Sequence, residues 1–236
     1  MPEGSPSRPT AAEPNKVWVL PTHQQRSRRN RDSLLKAGER VFAARGFSDA
    51  HVSEIARLAG CSIGSFYRRF KDKQALFLAL QAAMYDQAHA NIERFFAHPA
   101  GEKSSLTRVF FYLIENSATE AGKIKGYYRA LFEISLRGAK IWDRMRELER
   151  FQAEHLRLLL ARRKVRVRPD FIPAVAATIR VITENHVSML LHGPGPFEYN
   201  DFASNCEFTR ILLGVAGVEI DEKELKRLKS ARAKAH

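Results

Sequence analysis

Residues 62–73 read SIGSFYRRFKDK and set two hydroxyls, a phenol and several cations within about three turns of helix. This is not a paired acid–base set, and it lacks metal-ligand spacing. Hydroxyls, arginines and a glycine that lets the backbone approach closely are the groups that bind phosphate oxygens and reach base edges. They can do so only if one helix presents them together. Ile63, Phe66, Tyr67 and Phe70 recur at helical spacing, and Ser62 is a good N-cap, so a helix starts at about Ile63. Its apolar side docks and leaves Gly64, Ser65, Arg68 and Arg69 outward.

A partner helix precedes it. Val52, Ile55, Ala56 and Ala59 lie on one helical face, and Gly60 then supplies a left-handed stop. Asp72 is placed to cap a further helix from Lys73. Two short helices joined by a glycine-containing turn describe a helix-turn-helix, whose second helix enters the major groove with its N-terminal residues at the bases. Two adjacent arginines there are placed for phosphates, and Cys61 reads as a small apolar filler of the turn.

The run HVSEIARLAGCSIGSFYRRFKDKQALF resembles the DNA-binding signature of the tetracycline-repressor (TetR) family of bacterial regulators. With the helix before it, the likeness covers residues 33–80. His51 departs from the usual Thr or Ser cap, and Cys61 from the usual Val. The resemblance implies that Tyr67, Ser65, Arg69 and Lys73 contact phosphates, and that Ser53, Ile63 and Gly64 face bases. Ile63 carries two readings: periodicity groups it with the core, whereas the resemblance turns it toward DNA, where a thymine methyl is its natural partner.

The chain's net charge is +13, and residues 1–80 hold 14 Lys and Arg against 7 Asp and Glu, so more than half of the net charge lies in the third of the chain that carries the motif. Residues 1–21 contain five prolines and read as disordered. In THQQRSRRNR, Arg26, Arg28, Arg29 and Arg31 form either a solvated helix start or an arm for an adjacent minor groove. Two distant cysteines form no zinc or disulfide pattern, and no apolar run reaches membrane-spanning length. A cytoplasmic protein with no membrane contact is expected.

Beyond residue 73 long helical patterns dominate: a helix continuing to about 96, a stop at Pro99 to Gly101, then helices near 104–121, 127–136, 139–163, 171–191 and 202–215, with a weak basic one at 222–235. Aromatic residues are dense here, mostly for packing, but a bundle this size can enclose a ligand cavity, and the resemblance implies one. Candidate liners are Phe111, Tyr112, Tyr127, Phe132 and Trp142, with Asn185 and His186 as polar groups that either orient a ligand or sit at the surface. The last two major helices resemble the family's dimerising pair. Ala174, Ala177, Thr178, Val181, Ile182, Phe208 and Ile211 are the expected interface.

The expected architecture is all-α: an N-terminal three-helix helix-turn-helix DNA-binding domain plus a C-terminal helical ligand-binding and dimerisation domain. The divisions are 1–27 (tail and start of the basic arm), 28–80, 81–220 and 221–236. The expected partners are a double-stranded DNA operator, a small effector and a second copy of the chain, with no cofactor or metal. An enzyme is disfavoured, because no histidine follows Glu by three residues as in di-iron bundles, and no phosphate loop or nucleophile elbow occurs. A sequence-neutral or architectural DNA-binding protein is the alternative.

Overall fold

Eleven helices and no strand make up the regular structure of the computed structural model, which describes residues 23–136, 141–193 and 195–233. In order they are α1 His23–Arg45, α2 Val52–Leu58, α3 Ile63–Tyr67, α4 Lys73–Ala97, α5 Pro99–Lys103 and α6 Leu106–Gly122. There follow α7 Lys125–Ser135, α8 Asp143–Arg162, α9 Phe171–His192, α10 Phe202–Ala216 and α11 Glu222–Ala233. The all-α expectation holds. The proline-rich segment 1–21, the expected helix start at Ala139 and the last residues of the 222–235 helix lie outside the described residues.

Local signals explain the motif's shape. The Ser62 side chain accepts from Ser65 N at 3.1 Å, and Asp72 accepts from Ala75 N at 2.7 Å, each satisfying a first-turn amide. His51 makes no side-chain cap, so the departure from the family pattern at that position costs α2 one such bond. Gly60 takes φ +70°, a left-handed turn that a β-carbon would strain. Ile55, Ala56, Phe66 and Phe70 then bury against Leu34, Val41, Phe42 and Phe77 of α1 and α4.

This first core does not stop at residue 80. Tyr127, Leu131 and Ile134 of α7, with Met145 and Val187, belong to the same buried cluster. The Phe77 and Tyr127 rings stack at 5.5 Å, and Gln81 Nε2 donates to the Tyr127 hydroxyl at 3.2 Å. A second cluster joins Phe110, Leu156, Leu160, Phe171, Val175 and Leu212 from α6, α8, α9 and α10. The C-terminal segment is not a loose tail: α11 docks through Leu225 and Leu228 on Phe111 and Cys206.

Two boundaries differ from the sequence pattern. Helix α1 begins at His23, ten residues before the apolar face that marks it in sequence, because its first turns are polar. Helix α5 forms where a simple stop is expected: Pro99 occupies its first turn, where a missing N–H costs nothing, and His98 Nδ1 accepts from Ala100 N at 3.2 Å.

Helices α1 and α7 cross at very close range where Gly126 meets the α1 backbone. A β-carbon on Gly126 would lie 2.0 Å from the Glu39 carbonyl oxygen and 2.7 Å from Ala43 N, both backbone atoms of α1. Gly126→Ala must therefore push the helices apart. We expect it to lower stability by about 1–3 kcal/mol, several degrees in Tm, by thermal denaturation. Gly101→Ala, where a β-carbon meets nothing within 4 Å, is expected to cause no loss.

Candidate nucleic-acid interface and effector cavity

The first turn of α3 forms an outward ridge. Ile63 is 47% exposed and Tyr67 55% exposed, while Phe66 between them is fully buried. Ile63 therefore leaves the core grouping that its periodicity proposed, because a five-residue helix buries only one side. Ser53, Ser62 and Gly64 are exposed beside it. The Ser65 hydroxyl lies 3.0 Å from that of Ser62 and accepts from Arg68 at 2.6 Å, so these side chains pre-order one another. The Tyr67 ring stands edge-on to Phe66 at 5.4 Å with its hydroxyl end free to reach outward.

One expected contact needs correction. Lys73 Nζ donates to the carbonyls of Phe47, Ser48 and Ala50 at 2.6–3.0 Å and lies 4.9 Å over the Phe47 ring. All three ammonium donors are engaged, so Lys73 ties the α1–α2 loop to α4 and has none left for a phosphate. Arg69 donates to Ser27 at 2.9 Å, joining α3 to the first turns of α1. The basic stretch is helical from residue 23, the conformation of the helix-start reading. Arg28, Arg29 and Arg31 lie exposed along it; Arg26 is in the same helix, its side chain outside the described set.

Sequence reasoning overlooked the residues that hold this unit to the body. Glu133 of α7 accepts from Phe47 N, Ser48 N and the Ser48 hydroxyl at 2.8–3.1 Å. Arg129 donates to the last carbonyls of α1, Ala43 and Ala44, at 3.0–3.1 Å, and Glu39 accepts from Gly126 N at 2.8 Å. Charged residues on an amphipathic helix look like solvent contacts in sequence. Nothing local shows that they reach backbone more than 80 residues away.

A cavity of about 690 Å³ lies between α4, α6, α8 and α9, within the range of small-molecule sites. Of the seven expected liners, Tyr112 and His186 border it. Phe111 points instead to the α11 contact, and Tyr127 is buried in the first core. Phe132 and Trp142 pack on each other at 5.3 Å and line a separate small pocket with Arg180 and Val187, and Asn185 is exposed. Tyr128, Gln152, Ile92 and Phe95 are the cavity residues that sequence reasoning missed.

His186 is 2% exposed, its ring 4.7 Å from that of Phe208. Burial pulls its pKa down to about 4. Burial also raises the Tyr128 phenol and pushes Tyr199 up to about 12; the Tyr199 hydroxyl donates to the Ala118 carbonyl. Of the expected interface residues, Val181 and Ile211 are 65% and 50% exposed, and Ala177 is exposed too. Ala174, Thr178 and Phe208 are half-buried. Ile182 is the correction: it lies in the second core, a helix face away from Val181.

Among the described residues, the chain thus combines a helix-turn-helix at one end with a cavity in a helical body. The family model for bacterial regulatory proteins of the tetR family matches residues 34–80, the helix-turn-helix and the helix before it. It is 49% identical over 51 residues to the helix-turn-helix transcriptional regulator YdgC of Bacillus subtilis, covering 22% of this chain and 26% of that one. It is 27% identical over 96 residues to the transcriptional repressor NemR of Escherichia coli, covering 41% and 48%. The chain thus spans half or less of the length of these relatives. A TetR-family regulator structure from Mesorhizobium loti superposes with TM-score 0.65 at 16% identity, covering 80% of this chain and 98% of that one.

Two outcomes follow. Lys73→Met strands three carbonyls, so urea unfolding should show a loss of about 1–3 kcal/mol, while Tyr67→Phe stays within about 0.5 kcal/mol. His186 is neutral when folded, while the unfolded side chain titrates near its ordinary 6.5. Protons therefore favour the unfolded state between these values. Its contribution is complete above pH 6.5 and is lost as pH falls toward 4, on the order of 3 kcal/mol in all. His186→Gln should show a flatter fall in stability over that window in chemical denaturation.

Proposed function

We propose that the chain is a sequence-specific transcriptional repressor. It acts as a homodimer on a palindromic operator and leaves it when a small, largely apolar effector fills the cavity. Residues 28–80 form the DNA-binding unit, and residues 81–220 form the effector and dimer unit, with 221–236 as the end that α11 closes. The protein works in the cytoplasm, and no described helix is long and apolar enough to cross a membrane.

One observation carries this reading: the same two helices serve both sites. Helix α4 starts at the helix-turn-helix and borders the cavity farther along with Ala88, Ile92 and Phe95. Helix α7 borders it with Tyr128, grips the end of α1 with Arg129 and holds the α1–α2 loop with Glu133. An effector that favours one arrangement of these helices shifts the heads by its differential affinity alone. The exposed Val181 and Ile211 support pairing through α9 and α10, which would space two heads for a two-fold site. The name of NemR supports the repressing sign.

A gel shift tests it. DNA flanking the protein's own gene should bind about 1,000-fold or more tighter than scrambled DNA at physiological salt. Ile63→Ala should relax preference at one position of each half-site. Arg68→Ala should weaken binding to all sequences alike and reduce the salt slope. Equal affinity for all sequences would favour the architectural alternative, which gives the cavity no role.

A further inference from the structure

The charged groups around the cavity are nearly all neutralised before any ligand arrives. The buried Glu149 carboxylate takes three hydrogen bonds from Arg180 at 2.7–3.2 Å. Arg108 Nε donates to the buried Glu224 carboxylate at 2.5 Å, a carboxylate that also meets Arg227 at 3.5 Å, and Glu120 pairs with Lys123 at 2.6 Å. Arg94 stands exposed at the rim, where water and salt screen it.

What is unmet inside is a neutral group. His186 borders the cavity, and its buried Nε2 has no hydrogen-bond partner among the described residues. A buried polar atom left unpaired carries a desolvation penalty that a bound partner removes. Phe95, Val109, Leu113 and Ile179 supply apolar wall. Resting on the effector reading above, we propose that the cavity selects an uncharged, largely apolar molecule bearing a hydroxyl that hydrogen-bonds to His186 Nε2.

A hydroxyl both donates and accepts, so it satisfies Nε2 in either tautomer. A carboxylate ligand sheds its hydration and meets inside only cations already held by carboxylates; an ammonium meets only carboxylates already held by cations. The neutral imidazole is consistent with this, since burial leaves it uncharged at neutral pH.

The test uses the 236-residue chain and three fluorescent probes of one skeleton: pyrenemethanol, methylpyrene and pyrenecarboxylate. Fluorescence titration should give pyrenemethanol about fivefold to tenfold tighter than methylpyrene, with pyrenecarboxylate weakest. His186→Phe should bring the alcohol and hydrocarbon within about twofold of each other. Nitrogen NMR of the wild-type imidazole, which needs no variant, should show a shift with pyrenemethanol and none with methylpyrene. A carboxylate that binds as tightly as the alcohol, or an alcohol preference that survives in His186→Phe, overturns the inference. Equal binding of all three overturns it and leaves the effector reading standing. Binding of none removes both.

Discussion

The position of α7 against α1 is the constraint on which the rest of the molecule depends. Helix axes normally pack 8–10 Å apart because side chains intervene. Here Gly126 removes the intervening atom, and its amide finds the Glu39 carboxylate. Close approach then brings Arg129 to the end of α1 and Glu133 to the loop beyond it. The carbonyls and amides at that helix end would otherwise be orphaned. One crossing thus fixes the helix-turn-helix against the body, and Lys73 closes the same loop from the α4 side.

With its base so held, α3 can be very short. Five residues make barely more than one turn, too few to be stable alone. Phe66 anchors it in the core, Ser62 caps its start, and Asp72 caps the start of α4 just beyond it. The exposed groups at its start are consequently free of structural duty. Ile63 and Gly64 can be exchanged without disturbing the fold, which suits a surface whose task is discrimination.

How much of this was legible in the sequence follows from the range of each signal. Capping, helical period and the glycine turn are local, so the helix-turn-helix and the order of the long helices read directly from residues such as Ser62, Gly60 and Asp72. The family pattern turned Ile63 outward where period alone did not. Contacts across the fold had no such marker. Phe111 and Tyr112 are adjacent, yet one meets α11 and the other borders the cavity, because neighbouring helical positions point about 100° apart. Lys73 looked like a cation awaiting a phosphate, and only the folded loop shows its three carbonyls. Glu39, Arg129 and Glu133 were invisible for the same reason.

Glu224 gives the final helix a second meaning. It lies 116 residues from Arg108 in the chain but supplies that residue's counter-charge. The electrostatic character of the cavity is therefore encoded partly outside the residues that form its wall. A change at Glu224 alters the charge that faces an occupant while every wall side chain stays the same. The shape of the binding site and its polarity can accordingly drift on separate evolutionary clocks, one in the bundle and one in the chain's last turns.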